Sequence, residues 1–183
     1  IFERMGSNTT LATDVGQNQM WAAQRFSPEG PQRFVTSGCA GTMGFGMPAA
    51  IGAAMARPGE KVVSISGDGG FQMTMAELAT VRRLDLPIKI AILDNGFLGM
   101  VRQWQELFYD RRYSGVDLSD NPDFAALARV YGIQGFTVQE PDSLGDTLDA
   151  WWNADGPALL HCICRREDNV FPMVPAGASL AEM

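Results

Sequence analysis

Residues 61–70 of the chain read KVVSISGDGG, and the organisation of the sequence follows from this segment. An apolar, β-branched run that stops at glycines and an acid is typical of a buried parallel strand entering a tight turn. A second run of this kind, IKIAILDN at residues 88–95, ends in a polar pair. Asp68 and Asn95 are 27 residues apart, which fits one strand-helix-strand crossover. We therefore expect both side chains at the same edge of one sheet, where the ligands of open α/β sheets bind.

Short β-prone segments alternate with helical segments along the rest of the chain. Six strands are predicted at 9–13, 33–36, 61–66, 88–93, 136–139 and 158–164, and helices at 19–25, 48–56, 74–84, 99–107, 121–131 and 142–152. Asn121 is the expected N-cap of the fifth helix, with Pro122 at its first position. This alternation predicts an α/β fold: a doubly wound, six-stranded parallel sheet with helices on both faces. We expect a single domain over residues 1–183, with an irregular tail over about 167–183.

Composition and charge exclude several classes of protein. A formal net charge of −7 without a basic face argues against non-specific nucleic-acid binding. There is no charged-then-apolar leader and no apolar run of about eighteen residues, so secretion and membrane insertion are not expected. The cysteines, Cys39, Cys162 and Cys164, form no CxxC pair and His161 is the only histidine, which argues against a zinc site or a disulfide framework and suits a cytoplasmic protein. We interpret the segment 161–164 as core or sheet face.

Asp68 and Asn95 are the residues whose chemistry suggests a site. A carboxylate and an amide oxygen at one sheet edge are hard ligands of the kind that Mg²⁺ takes, and Mg²⁺ completes its octahedron with phosphate oxygens and water. Gly67, Gly69 and Gly70 would let backbone amides approach a phosphate at the start of the next helix. One interpretation is thus a metal-bridged diphosphate. The residues leave a second one open, a common strand-to-helix turn in which Asp68 caps the helix. Neither a GxxxxGK loop nor a GxGxxG fingerprint is present.

Several segments together resemble a known family. A Gly-Asp-Gly followed about 27 residues later by an asparagine is the thiamine-diphosphate motif. Further matching segments lie at 13–17, 19–24, 41–50, 98–105, 121–124 and 172–175. Essentially the whole chain resembles the C-terminal, diphosphate-binding domain of the acetolactate (acetohydroxyacid) synthase catalytic large subunit, and among isozymes the type numbered II. The run GMVRQWQ at 99–105 separates this family from most other thiamine-diphosphate enzymes.

The resemblance implies a transferase that depends on thiamine diphosphate and Mg²⁺. Such an enzyme decarboxylates pyruvate and joins the hydroxyethyl unit to a second 2-oxo acid, pyruvate or 2-oxobutyrate, in the biosynthesis of the branched-chain amino acids valine and isoleucine. The family's subunit also has a pyrimidine domain and an FAD-binding middle domain, forms homo-oligomers and associates with a small regulatory subunit. The 183 residues can contain neither domain, and the chain begins at Ile1 without an initiator methionine. We therefore expect a fragment that is inactive alone.

The resemblance also implies roles for individual residues. Mg²⁺ is held by the side chains of Asp68 and Asn95 and by the backbone carbonyl of Phe97. The residues around the cofactor are Gln17, Asn18, Gly41, Thr42, Met43, Asp68, Gly69, Gly70, Asn95, Gly96, Phe97, Leu98, Gly99 and Met100. Met43 is the wedge that bends the cofactor, unless it only fills the core. The substrate channel is lined by Met73, Met100, Val101 and Trp104. Trp104 favours 2-oxobutyrate, unless it is simply a half-buried helix tryptophan.

Some positions depart from the family's pattern. Asn18 stands where relatives mostly carry histidine, which removes an imidazole beside the diphosphate. Gly70 replaces a common serine and removes its hydroxyl. Asp94 replaces the first of two asparagines, but the ligand is the second, so we expect the metal site to survive. Two alternatives to a synthase stay open: another thiamine-diphosphate enzyme, such as glyoxylate carboligase or a pyruvate oxidase, and a non-catalytic interaction module that keeps the fold.

Overall fold

The computed structural model describes residues 1–28, 30, 33–174 and 177–182, and in these residues six strands form one sheet. The strands are β1 Thr10–Thr13, β2 Phe34–Thr36, β3 Val62–Gly67, β4 Ile88–Asp94, β5 Gln134–Val138 and β6 Ala158–Ile163. They lie in the order β2-β1-β3-β4-β6-β5, and every neighbouring pair is parallel. The predicted α/β fold with a six-stranded parallel sheet is confirmed. Pro175, in the matching segment 172–175, lies outside the described residues.

Helices cover both faces of the sheet because alternate residues of the central strands point to opposite sides. The helices are α1 Gln17–Arg25, α2 Gly46–Ala56, α3 Asp68–Thr74, α4 Leu78–Arg83, α5 Gly99–Phe108, α6 Phe124–Val130 and α7 Leu144–Asn153. On one face, Ile90 and Ile92 of β4 pack in a buried cluster with α2, α3, α4 and α6. On the other face, Ala91 joins Ala22 of α1 and Trp151 of α7. Within the described part of the chain, no helix is long and apolar enough to cross a membrane.

The strand order brings the carboxyl ends of β1, β3 and β4 side by side. The chain passes from β1 to an edge strand on one side and from β3 to β4 on the other, so the order reverses between β1 and β3. In open α/β sheets, ligands bind outside the strand ends at such a reversal. Asp14, Asp68 and Asn95 directly follow these three strands. The sequence predicted polar residues at the ends of β3 and β4. In the structure, the end of β1 lies at the same edge and adds Asp14.

Five of the six predicted helices begin at other residues than predicted, and two of these differences bear on the strand ends. Helix α3 starts at Asp68, directly after β3, and a 3-10 turn at Met75–Glu77 separates it from α4. The glycines of this first turn carry no apolar periodicity, so the sequence pattern placed the helix start near residue 74. Helix α6 starts at Phe124, and its N-cap is Asp123, whose carboxylate accepts a hydrogen bond from a first-turn amide (2.9 Å). The prediction that Asn121 is the N-cap is wrong, because its side chain is directed toward the ends of β3 and β4 instead.

The segment that follows β6 packs against α5. Val170 is fully buried, and both its backbone groups are bound by one side chain. Nε2 of Gln103 donates to the carbonyl of Val170 (2.9 Å), and Oε1 of Gln103 accepts from its amide (2.8 Å). Arg102 donates to Oδ1 of Asn169 (3.1 Å). The described part of the tail also contains a 3-10 turn at Leu180–Glu182. These bonds fix the position of α5, whose first turn forms part of the candidate site.

Candidate functional site

A cleft of about 360 Å³ opens at the carboxyl ends of β1, β3 and β4. Its walls are the first turns of α1, α3 and α5, and Val15, Met20 and Trp21 give one wall an apolar surface. Concave, largely apolar clefts with a few convergent polar groups are typical of small-molecule sites. Twelve of the fourteen residues expected around the cofactor line it: Gln17, Asn18, Gly41, Met43, Asp68, Gly69, Gly70, Asn95, Phe97, Leu98, Gly99 and Met100.

The remaining predicted residues lie beside this cleft rather than in its wall. They are Thr42, Gly96, Met73 and Trp104. Trp104 is 52% exposed and forms with Met100 and Val101 a second, shallower recess that adjoins the cleft. At this exposure on α5, Trp104 fits both the predicted channel wall and a half-buried helix tryptophan. Three of the four predicted channel residues are thus neighbours, whereas Met73 is 58% exposed on α3.

Asn95 is oriented by a buried network of amides. Its Nδ2 donates to Oε1 of Gln17 (2.9 Å), and its Oδ1 accepts from the amide of Phe97 (3.2 Å). Gln17 in turn donates through Nε2 to Oε1 of Gln103 (3.0 Å) and to the carbonyl of Asp168 (2.9 Å). This chain of donors and acceptors assigns which end of the Asn95 amide is oxygen. An amide oxygen has two lone pairs, so Oδ1 of Asn95 keeps one for a further partner.

Asp68 is only 2% exposed, at the first position of α3, and the N-cap of that helix is Gly67. The interpretation of Asp68 as a helix cap is therefore wrong. Its Oδ2 accepts a short hydrogen bond from Nδ2 of Asn121 (2.7 Å). Burial raises the pKa of Asp68 to about 7; the Asn121 bond opposes this shift and the nearby Asp94 carboxylate adds to it. A cation bound at Asp68 would favour the ionised form that burial disfavours.

Asp94 and His161 form a second polar pair behind the cleft. Oδ2 of Asp94 lies 2.9 Å from Nε2 of His161, while Oδ1 accepts from the amide of Gly96 (2.9 Å) and from Nδ2 of Asn121 (3.0 Å). Burial acts to raise the pKa of Asp94, but these bonds, with His161 first, outweigh it and hold the pKa below its ordinary value. His161 is buried as predicted, and it is also the partner of Asp94.

Asp14 is a site residue that the sequence reasoning did not single out. It is buried directly after β1, and its Oδ1 and Oδ2 accept from the amides of Gly44 (3.0 Å) and Gly46 (2.8 Å). These bonds hold the loop that carries Met43 into the cleft. The sequence contained a pattern that could have identified it, because Asp14 directly follows a strand, as Asp68 does.

Gly69 and Gly70, at the first turn of α3, are closely packed against side chains of other segments. A Cβ built on Gly69 would lie 2.6 Å from Cδ2 of Leu98 and 3.6 Å from Cε of Met43. A Cβ on Gly70 would clash with the carboxylate of Asp14. Gly70 therefore leaves the space that the Asp14 carboxylate occupies. Half-buried Met43 closes the cleft above this turn.

Asn18 uses its side-chain donors within the protein. Its Nδ2 donates to the carbonyls of Asp14 (3.1 Å) and Ile65 (3.3 Å). The side chain thereby joins α1 to the ends of β1 and β3. Asn18 lines the cleft, but its amide nitrogen is directed at the backbone.

Comparison with known sequences identifies the family. Residues 14–162 match the family described as thiamine pyrophosphate enzyme, C-terminal TPP binding domain, and the chain belongs to it. All 183 residues align at 52% identity with the acetolactate synthase isozyme 2 large subunit of Escherichia coli (strain K12), of which they cover 33%. The sheet, the helices on both its faces and the cleft agree with a domain of this family.

Similar proteins occur in other organisms as well. The probable acetolactate synthase large subunit of Methanococcus aeolicus is 45% identical over 98% of this chain, which covers 30% of that protein. The mitochondrial acetolactate synthase of Schizosaccharomyces pombe is 46% identical over 93% of this chain, which covers 25% of it. The chain thus spans about a third or less of the length of these relatives.

Proposed function

We propose that this chain is the cofactor-binding domain of an acetolactate synthase catalytic subunit. The observation that carries the proposal is the pair of oxygen ligands, Asp68 and Asn95, held at one cleft beside the glycine-bearing first turn of α3. Similarity to acetolactate synthase large subunits along the whole chain supports this choice among thiamine pyrophosphate enzymes. In the full-length protein, pyruvate is decarboxylated and its two-carbon unit is transferred to a second pyruvate or to 2-oxobutyrate, in the biosynthesis of valine and isoleucine.

The donor set of the cleft fits Mg²⁺. The Asp68 carboxylate, the Asn95 amide oxygen and the backbone carbonyl of Phe97 are all hard oxygen ligands. Mg²⁺ keeps several positions for phosphate oxygens and water, so three protein oxygens suffice for a site that is completed by a diphosphate. The buried acid also favours a cation, because its negative charge is poorly solvated in this cleft.

Thiamine diphosphate, when bound, supplies the electron sink for decarboxylation. Gly69 and Gly70 line the cleft at the first turn of α3, and their backbone amides are the proposed donors to the diphosphate. Gln17, Asn18, Gly96, Leu98 and Gly99 complete the proposed surround. Met43, with Gly41 and Thr42 beside it, is the proposed wedge that sets the cofactor's conformation, and the Asp14 bonds hold its loop in place.

The recess next to the cleft is the proposed substrate channel. Met100 and Val101 line both the cleft and the recess, so they connect the cofactor to Trp104. Met73, on α3, is the proposed fourth wall. An indole face that packs against one extra methyl group discriminates 2-oxobutyrate from pyruvate by about 1–3 kcal/mol.

The rest of the site is proposed to come from other parts of the assembly. A pyrimidine domain of a second catalytic subunit covers the cofactor, so the working protein is a homo-oligomer in the cytoplasm. FAD binds to a middle domain outside this chain, and a small regulatory subunit associates with the complex. The isolated 183-residue chain therefore shows no acetolactate synthase activity; robust turnover by the purified chain would contradict this.

Calorimetric titration of the full-length protein with thiamine diphosphate tests the site. Binding is expected only when Mg²⁺ is present, and Asp68→Ala is expected to abolish it, because the buried carboxylate is the only charged ligand proposed. Gly52→Ala is a matched control on α2, where a methyl group meets no atom within 4 Å, and it should bind as the wild type does. A wild-type protein without Mg²⁺-dependent binding would instead be a non-catalytic module.

Product analysis of the full-length protein tests the reaction. Acetolactate from pyruvate, and acetohydroxybutyrate when 2-oxobutyrate is added, are the expected products. Acetaldehyde or acetyl phosphate as the main product would assign the protein to a different thiamine-diphosphate enzyme and refute the synthase.

A further inference from the structure

Asn121 links the two acids that stand at the ends of β3 and β4. Its Nδ2 donates one hydrogen bond to Oδ2 of Asp68 (2.7 Å) and one to Oδ1 of Asp94 (3.0 Å). An asparagine amide has two N–H donors, and both are used. The residue lies 53 positions from Asp68 in sequence, in the loop before α6, so the fold alone brings these groups together.

The orientation of the Asn121 amide follows from its third partner. Nε2 of Gln72, on α3, donates to Oδ1 of Asn121 (2.8 Å). Oxygen and nitrogen ends of an amide are assigned from such networks, and here the two carboxylates can only accept. The amide nitrogen therefore lies between the two acids. The two N–H donors of Asn121 offset the repulsion between the carboxylates of Asp68 and Asp94. An oxygen in place of this nitrogen would increase that repulsion.

Asp94 anchors this bridge to the sheet. Besides Asn121, it contacts Nε2 of His161 on β6 (2.9 Å) and accepts from the amide of Gly96 (2.9 Å). The backbone carbonyl of Asp94 accepts from the amide of Cys164 (2.7 Å). An acid bound from three directions moves little, so the Asn121 amide is fixed relative to β4 and β6.

We propose that Asn121 is a positioning residue for the Mg²⁺ site: by binding one oxygen of Asp68, it directs the other toward the cation. This inference rests on the proposed function, which makes Asp68 a metal ligand. Mg²⁺ demands a nearly ideal octahedral geometry at short distances, so a ligand that rotates loses affinity. Partners behind a metal's ligands orient those ligands, and their loss typically lowers metal affinity by about 10–100-fold.

The Mg²⁺ dependence of thiamine diphosphate binding to the full-length protein tests this role. In Asn121→Ala, the Mg²⁺ concentration for half-maximal binding should rise about 10–100-fold. At saturating Mg²⁺, the affinity for thiamine diphosphate should return to within about three-fold of the wild type, because the cation itself then orders Asp68. A variant that is merely misfolded would bind weakly at every Mg²⁺ concentration. Asn121→Ser keeps one donor and should give a smaller rise, so it carries the test if the alanine variant does not fold.

Asp123→Ala is the matched control in the same loop. It removes the N-cap of α6 and so lowers stability nearby, but it breaks none of the bonds of Asn121. Its half-maximal Mg²⁺ concentration should equal that of the wild type. The positioning role would be overturned if the half-maximal Mg²⁺ concentration were unchanged in folded Asn121→Ala, or if it rose equally in Asp123→Ala. Neither result would contradict the proposed function. A wild-type protein that binds no thiamine diphosphate with Mg²⁺ would overturn both.

Discussion

Gly70 and Asp14 show how a single missing side chain shapes the cleft. Asp14 accepts from the amides of Val15, Gly44 and Gly46, so three backbone groups depend on one buried carboxylate. Gly70 is the neighbour that leaves room for it. A side chain at position 70 and the carboxylate in its observed place exclude each other. The glycine therefore supports the loop of Met43, 27 residues earlier in the chain, as well as the first turn of α3.

Gly70→Ala is expected to lower the free energy of unfolding by about 2–4 kcal/mol, since Asp14 must leave some of its amide partners unsatisfied. Urea unfolding followed by circular dichroism measures the change. Gly52→Ala is the control, because its methyl group meets no atom within 4 Å in α2; it should raise the unfolding free energy by about 0.5–1 kcal/mol. Equal stabilities of the two variants would contradict the proposed clash.

The three cysteines differ sharply in their expected reactivity. Burial raises the pKa of Cys162 to about 12 and that of Cys164 to about 11, so at neutral pH their thiols stay protonated and poor nucleophiles. Cys39 is exposed in the loop before α2. Iodoacetamide at pH 8, followed by peptide mass mapping, should label Cys39 in the native protein and all three after unfolding. Native labelling of Cys162 at a rate similar to that of Cys39 would refute the burial argument.

Among the secondary-structure elements, β4 and the α7–β6 connection are joined by a buried lysine. Nζ of Lys89 donates to the carbonyls of Ala154 (2.5 Å) and Gly156 (3.0 Å), and only 3% of the residue is exposed. Burial lowers its pKa to about 8, and the charge of Lys61 adds to the shift. Lys89 therefore connects the start of β4 to the loop before β6, and burial destabilises its charged form in the folded state.

The stability of the protein should consequently depend on pH through Lys89. The unfolded lysine holds its proton up to about pH 10.4, whereas the folded one releases it from about pH 8. Between these values the unfolded state binds more protons, so the contribution of Lys89 to the unfolding free energy rises with pH, by up to about 3 kcal/mol. In urea titrations from pH 7.5 to 10.5, the wild type should gain stability relative to Lys89→Met as the pH rises. Parallel curves for the two proteins would disprove it.

In the complete fold, helix α5 exposes an apolar surface. Trp104 and Phe108 are about half exposed and pack edge to face at 6.1 Å, with Val101 and Leu107 on the same helix also exposed. A contiguous patch of this kind favours association with another surface. The candidate cleft opens beside it, so a domain that covered the patch would also close the cleft.

The isolated 183-residue chain is expected to self-associate through this surface. Sedimentation velocity should show concentration-dependent dimers or larger species, and replacing Trp104 and Phe108 by serine should shift the chain toward monomer. Val130→Ser is the control, because Val130 is 82% exposed on a different helix, α6. A wild-type chain that stays monomeric at high concentration would show that the patch does not drive association.

Local pattern was enough to predict the class of fold and the position of the cleft. Strand and helix alternation depends on residue periodicity, and buried parallel strands have a recognisable composition, so six strands and a polar edge at Asp68 and Asn95 could be predicted. Errors occurred where glycine or short polar residues set an element boundary, as at the starts of α3 and α6. There, capping and steric fit outweigh periodicity.

The network behind the cleft could not be predicted, because its bonds join residues far apart in the chain. Asn121 looked like an N-cap and His161 like a core residue; both are partners of Asp94 once β4 and β6 are neighbours. Periodicity places a residue on a face of its own element, but the strand order decides which side chain it meets. The sequence thus carried the ligands of the proposed metal site, and long-range packing of the sheet supplied the groups that hold them.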